Sequence, residues 1–338
     1  MNDRKTRIAI NGFGRIGRLA LRAGLTRADL EFVAINDLSE PDLLQYLLSS
    51  DTVHGRLDAA VGLDGENLVV GSRSMPLSRL KDPTQLPWKK LGVDVVLECS
   101  GAMRSRRDSA RHLEAGARTV IISAPSDDAD LTLVMGINQH LYDPSRHRII
   151  SNASCTTNAL APMAAILHSE FGIEKACALT VHAYTSSQAL VDTPQRKRRR
   201  SRAAALNLVP TTTGAAAAVG RVLPELAGKL DGLAVRAPIA DGSIVDLTAM
   251  LSAGVTVEQV NDAFRAAAEG KLKGIVRFVA TDGLVSSDIV GDPHSCVFDA
   301  PLTMAMDRMV KVLGWYDNEY GYACRLLDAA THVGGRIR

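Results

Sequence analysis

The chain of 338 residues carries 39 Lys and Arg against 37 Asp and Glu, a formal charge of +2, with 46% hydrophobic and 22% charged residues. At roughly 150 residues per domain this length predicts two domains, with enough interior to fold without disulfides. So small a net charge argues against a dedicated nucleic-acid binder, and no apolar run approaches the ~20 residues of a membrane span.

The opening residues lead into a short β-rich run with no signal-peptide core. Five cysteines (Cys99, Cys155, Cys177, Cys296, Cys324) stand at irregular spacing without a C-x-x-C pair. That suits neither a disulfide framework nor a zinc site, and a reducing, cytoplasmic setting without a structural metal is the expectation.

Residues 7–11 read as a strand, and Gly12-Phe13-Gly14-Arg15-Ile16-Gly17 then matches G-x-G-x-x-G before a helical stretch. The first glycine permits a tight turn, the second lets backbone approach a pyrophosphate, and the third lets helix and strand pack closely. The helix N-terminus adds N–H groups and a positive dipole end. A second strand, residues 31–35, ends at Asn36-Asp37, and Asp37 lies 20 residues past Gly17. That is the spacing of the carboxylate that accepts from an adenosine ribose. It also repels a 2′-phosphate, so the expected cofactor is NAD rather than NADP. Further strands at 93–99 and 119–123, separated by a helix at 106–115, predict a doubly wound parallel sheet.

In the middle of the chain, Ser151-Asn152-Ala153-Ser154-Cys155-Thr156-Thr157-Asn158 precedes an apolar helical stretch. Ser154 is a natural N-cap, which puts Cys155 in the first turn, where the helix N-terminus favours thiolate over thiol. Cys155 is the nucleophile candidate. Cys99 and Cys177 lie inside apolar runs and read as small buried hydrophobes. His182, in Val181-His182-Ala183-Tyr184-Thr185, can act as base toward Cys155 if the fold joins them. The run Arg196-Lys197-Arg198-Arg199-Arg200-Ser201-Arg202 has six basic residues in seven and leaves the remainder of the chain net acidic. It reads as a solvated loop, as a local source of positive potential, or as a nucleic-acid patch.

Together with Trp315-Tyr316-Asp317-Asn318-Glu319, the cysteine and histidine motifs resemble the phosphorylating glyceraldehyde-3-phosphate dehydrogenase family, along nearly the whole chain. The resemblance implies an α/β fold: a Rossmann-type doubly wound sheet in residues 1–154, and an α+β catalytic domain with a mixed or antiparallel sheet in 155–318. A C-terminal helix, 319–338, would return to the first domain. It implies a glycolytic homotetramer that oxidises D-glyceraldehyde 3-phosphate to 1,3-bisphosphoglycerate with NAD and inorganic phosphate, through a cysteine thiohemiacetal and thioester.

By the same resemblance, Arg15 and Ile16 meet the pyrophosphate, Ser123 lies near the nicotinamide, and Asn318 orients its carboxamide. Cys155 attacks the aldehyde with His182 as base. Thr185 and Arg236 hold the substrate phosphate, while Ser154, Thr156, Thr213 and Gly214 serve the phosphate sites with Arg200, the choice among Arg199, Arg200 and Arg202 staying open. Thr193-Pro194 resembles the NAD-preferring members. The chain departs from the family pattern at Ala159, which stands where a second cysteine is common, at the loop 237–243, and at Ala102 and Met103 beside the adenine position. Erythrose-4-phosphate dehydrogenase is the nearest alternative, though Thr211-Thr212-Thr213-Gly214-Ala215-Ala216 matches the glyceraldehyde-phosphate branch better.

Overall fold

The computed structural model describes residues 4–337. The chain divides into two compact units, one formed up to Ala153 and again from Ala323, the other formed by Ser154–Tyr322. Ser154 goes with the second unit, one residue earlier than the sequence division, because its side chain caps the helix that opens that unit. The final helix, Tyr320–Gly334, starts in the second unit and ends in the first. No helix among the described residues is long and apolar enough to cross a membrane.

The first unit is built on a nine-stranded sheet. Thr6–Asn11 lies in its middle, paired in parallel with Leu30–Asn36 on one side and Val95–Glu98 on the other. The chain builds outward on one side of the first strand and then returns to build on the other. The crevice beyond the carboxyl ends of Thr6–Asn11 and Val95–Glu98 is therefore a topological switch point, where such sheets take ligands. Thr119–Ile122 and Ile149–Ser151 continue the parallel series, and an antiparallel meander, Val61–Asp64 and Asn67–Val70, closes the far edge. Strand residues such as Ile8, Ile10, Val96 and Leu97 are fully buried, as expected for a sheet covered on both faces.

A buried polar network pins the crevice. Glu98 accepts hydrogen bonds from Asn11 Nδ2 and from the Ser100 N–H and hydroxyl. His112 Nε2 lies 3.0 Å from the same carboxylate, and Trp88 Nε1 donates to His112 Nδ1 at 3.0 Å. That donation leaves the ring proton on Nε2, directed at Glu98, so the network is satisfied at both ends.

The second unit is an eight-stranded mixed sheet. Its long strand Ile173–Ala183 pairs in parallel with Leu230–Ala237 and antiparallel with Ser243–Leu251, which in turn pairs with Met309–Tyr316. The helices Cys155–Phe171, Ala215–Val222 and Val257–Glu269 pack on this sheet. Side chains alternate along Ile173–Ala183: Ala176, Ala178, Thr180 and His182 are buried, while Cys177 is exposed. This corrects the sequence reading of Cys177. An apolar run was taken for a two-sided interior, but within this unit one face of the sheet is bare. Leu233 and Met250 are exposed with it.

Candidate active site

The glycine loop opens a cleft of about 750 Å³ in the first unit, bordered by Gly12, Gly14, Asp37, Ser100, Ala102 and Met103. Gly12 has φ +91°, and a Cβ there would stand 2.3 Å from the backbone nitrogen of Ser100. Gly14 has nothing within 4 Å of its Cβ position, whereas a Cβ on Gly17 would meet the Gly12 carbonyl oxygen at 2.2 Å. Backbone is thus bare at the one glycine a diphosphate would approach, and closely packed at the other two. The helix Arg15–Gly24 follows with Gly14 as N-cap and no side-chain cap. Arg15 and Ile16 are its first residues, and the Arg15 guanidinium pairs with Asp51.

Asp37 sits against the loop, its Oδ2 accepting the Phe13 N–H at 2.6 Å and its Oδ1 the Ser39 N–H at 2.9 Å. Each oxygen keeps further acceptor capacity. These features fit a dinucleotide with a free ribose 2′-hydroxyl. Ser123 follows Thr119–Ile122 and shares a hydrogen bond with the Cys99 thiol, which burial pushes up to about 12. Cys99 is half-buried and lines the cleft, so the sequence reading of a fully buried hydrophobe is corrected, while the raised thiol disfavours its thiolate.

In the second unit the helix Cys155–Phe171 begins at Ser154, whose Oγ accepts the Thr157 N–H at 3.0 Å. Just before it, Ala153 has φ +55°, a left-handed conformation that costs an L-residue about 1–2 kcal/mol and turns the chain sharply into the helix. Cys155 Sγ lies 3.4 Å from His182 Nε2. His182 is 4% exposed and stands opposite Arg236 in the parallel strand pair. Arg236 Nη1 is 2.7 Å from both His182 Nδ1 and the Ala183 carbonyl oxygen.

The charge states differ from the sequence expectation. Thr156 and Arg236 both favour the Cys155 thiolate, but burial outweighs them and pushes the thiol up to about 11. The same burial, with the positive charge of Arg236 next, brings His182 down to about 3. The helix N-terminus was expected to lower the thiol. Desolvation, which depends on tertiary packing, is the larger effect here. Burial thus disfavours both charged forms, thiolate and imidazolium.

Tyr316, Thr180 and Ser243 support this centre and were not singled out from the sequence. The Tyr316 hydroxyl lies 3.0 Å from Thr156 Oγ1 and 2.8 Å from Thr180 Oγ1, and its ring meets His182 edge-on at 5.9 Å. Ser243 Oγ accepts the Ala183 N–H at 3.0 Å and donates to Asn318 Oδ1, which fixes the amide oxygen as the acceptor and Nδ2 as the donor. Asn318 is buried, its N–H donating to Asp241 Oδ1 at 3.2 Å. The pattern signal for Thr180 was present: it precedes His182 by two on a strand and so shares its face.

The basic segment lies near the same strands. Arg200 is half-buried, its Nε donating to Thr211 Oγ1 at 3.2 Å and its Nη1 to Ser187 Oγ at 3.1 Å. Ser187 Oγ also meets Thr185 Oγ1 at 2.8 Å. Arg202 instead pairs with Asp192 at 2.7 Å, and Arg199 is exposed. Gly214 opens the helix Ala215–Val222, and Thr213 lines a small void with Thr156.

Comparison with known proteins agrees with this geometry. Residues 6–106 match the family model of the glyceraldehyde 3-phosphate dehydrogenase NAD binding domain, and residues 154–318 that of its C-terminal domain. The chain is 52% identical over 331 residues to the glyceraldehyde-3-phosphate dehydrogenase of Geobacillus stearothermophilus, covering 98% of each. It is 52% identical to those of Kitasatospora aureofaciens, over 98% of this chain and all of the relative, and of Mycobacterium bovis, over 97% and 98%. With a glycine-loop cleft suited to NAD and a cysteine–histidine pair on a mixed sheet, the chain belongs to the glyceraldehyde-3-phosphate dehydrogenase family of NAD-dependent oxidoreductases.

Proposed function

We propose that the chain catalyses the phosphorylating oxidation of D-glyceraldehyde 3-phosphate to 1,3-bisphosphoglycerate. The observation that carries this is Cys155 Sγ at 3.4 Å from His182 Nε2, beside Arg236. The Cys155 sulfur adds to the aldehyde carbon, and the carbonyl oxygen takes up a proton through His182. In the oxidation, His182 Nε2 accepts the hydroxyl proton. Bound NAD supplies the hydride acceptor, held in the cleft by the Gly12–Gly17 loop, with Asp37 on the ribose. Cys155 is left as a thioester, which splits one difficult step into two easier ones. Inorganic phosphate then displaces the thiol and leaves as the acyl phosphate.

Two anion sites are required, and guanidinium forks with threonine hydroxyls suit them. Arg236 and Thr185 serve the substrate phosphate. Arg200, which reaches Thr211 and Ser187, serves the attacking phosphate with Ser154, Thr156, Thr213 and Gly214. Asn318 orients the nicotinamide carboxamide through its side-chain amide, and Ser123 lies at the same end. The segment 196–202 acts as a source of positive potential for these anions. The bare apolar sheet face at Cys177, Leu233 and Met250 supports assembly as a homotetramer, and the irregular cysteine spacing supports a reducing, cytoplasmic setting.

NADH formation from glyceraldehyde 3-phosphate, with and without inorganic phosphate, tests the reading. Sustained turnover that requires phosphate is expected. Equal rates without it would mean a non-phosphorylating aldehyde dehydrogenase, and a higher kcat/KM for erythrose 4-phosphate would transfer the chain to that substrate.

A further inference from the structure

The first unit carries a second cleft, at the opposite end of its strands from the glycine loop. The dinucleotide crevice lies beyond the carboxyl ends of Thr6–Asn11 and Val95–Glu98. At the amino ends, Arg118 immediately precedes the strand Thr119–Ile122 and Arg148 immediately precedes Ile149–Ser151, and these two strands pair in parallel. Register therefore brings two guanidinium side chains to one end of the sheet. A third, Arg336, arrives just past the final helix Tyr320–Gly334. With Thr119, Ser145 and Ile337 they line a concavity of about 360 Å³, within the size range of small-molecule sites.

No carboxylate lines this cleft. The acids around it are engaged elsewhere. Asp94 takes two hydrogen bonds from Arg4 and lies 3.7 Å from Arg118 Nε. Asp130 pairs with Arg106 and accepts the backbone N–H groups of Arg148 and Ile149. Asp143 accepts the Ser145 N–H and hydroxyl. Arg148 and Arg336 have no carboxylate partner among the described residues. Their side chains are held all the same. Arg148 Nε donates to the Arg118 carbonyl oxygen at 3.1 Å, Arg118 Nη1 donates to the Ile337 carbonyl oxygen at 3.1 Å, and Arg336 Nη1 lies 2.6 Å from the His332 ring nitrogen. A guanidinium has five N–H donors, so each of the three keeps more donors than it has protein acceptors. Like charges fixed around one concavity focus a positive potential there, and an anion relieves their repulsion.

We propose that this cleft is a further anion-binding site, for a compact molecule carrying two or more phosphate groups. Charge sets the valence, because a single monoanion balances only one of the three guanidiniums. Phosphate oxygens also match guanidinium forks two at a time. No aromatic ring lines the cleft to stack a nucleobase, which favours a small polyphosphate over a single-stranded nucleic acid. The site shares no residue with the phosphate positions assigned to the reaction. It lies at the other end of the strands from the glycine loop, so its ligand binds without displacing NAD.

Phenylglyoxal footprinting of the NAD-saturated protein, read arginine by arginine through peptide mass spectrometry, tests this with inorganic tripolyphosphate as the probe. Saturating NAD keeps the probe off the glycine loop, and all three arginines are exposed to the reagent. Arg118, Arg148 and Arg336 should be protected together with one midpoint, while Arg265, which pairs with Asp262, keeps its rate. Arg148→Ala should raise the midpoint at Arg118 and Arg336 by about tenfold or more, the size of a lost charge-assisted contact. Arg336→Ala, beyond the last helix, makes the same test at Arg118 and Arg148 should the first variant not fold.

Equal protection of every arginine, or none at these three, overturns the site. So does a midpoint that neither substitution moves. A single-stranded oligonucleotide that protects the trio at lower concentration than tripolyphosphate overturns the assignment to a compact ligand.

Discussion

Replacing His182 with Asn removes the proton acceptor while keeping an amide that can still donate to sulfur. Burial holds the Cys155 thiol at about 11, so without the imidazole about one thiol in 10³ is ionised near pH 8. The oxidation step also loses its base, worth about 10²–10⁴-fold by itself. The expected loss in the first-turnover burst of NADH is therefore about 10³-fold or more. Rapid mixing across about pH 7–10 gives a second signature. In the variant the burst rate should climb about tenfold per pH unit without levelling off, because thiol ionisation alone limits it. Wild type should level off earlier, since its thiol proton has a place on the ring. A loss of less than about tenfold, or superposable pH profiles, would refute the assignment of His182 as base.

Gly12→Ala places a methyl 2.3 Å from Ser100 N at φ +91°, so calorimetry should find NAD binding lost, and affinity near that of wild type would contradict the loop's role. Tyr316→Phe strips a hydroxyl shared by Thr156 and Thr180. It should lower the unfolding free energy by about 1–2 kcal/mol in urea titrations, and no measurable change would mean the network carries no stability. The pH dependence of stability has a defined sign. His182 falls from 6.5 to about 3 on folding, so the unfolded chain binds the extra proton, and stability drops as pH falls below 6.5. The loss runs at about 1.4 kcal/mol per pH unit and ends near the folded-state value. Thermal melts of His182→Asn should therefore be less acid-sensitive than wild type, and equal slopes would contradict this.

What the sequence made legible was local. The strand–glycine loop–helix order, the position of Asp37 and the Ser154 cap on the Cys155 helix all follow from neighbouring residues, and the structure has each of these elements. Contacts set by strand pairing were not legible. His182 and Arg236 are 54 residues apart and meet only because Ile173–Ala183 and Leu230–Ala237 pair in register. Tyr316 reaches Thr156 across 160 residues. The misreading of Cys177 has the same origin, since an apolar run does not say which face of a sheet is covered. So does the thiol: a helix N-terminus is visible in sequence, whereas the desolvation that outweighs it is a property of the packed site.

The central claim is that Cys155 carries the acyl group between oxidation and release. Intact-protein mass spectrometry after mixing with NAD and glyceraldehyde 3-phosphate, in phosphate-free buffer, tests it directly. The account predicts one phosphoglyceroyl group per chain, mapped to the Cys155 peptide, absent in Cys155→Ser and discharged on adding inorganic phosphate. NADH formation with no mass change on Cys155, or an adduct that phosphate does not discharge, would contradict it.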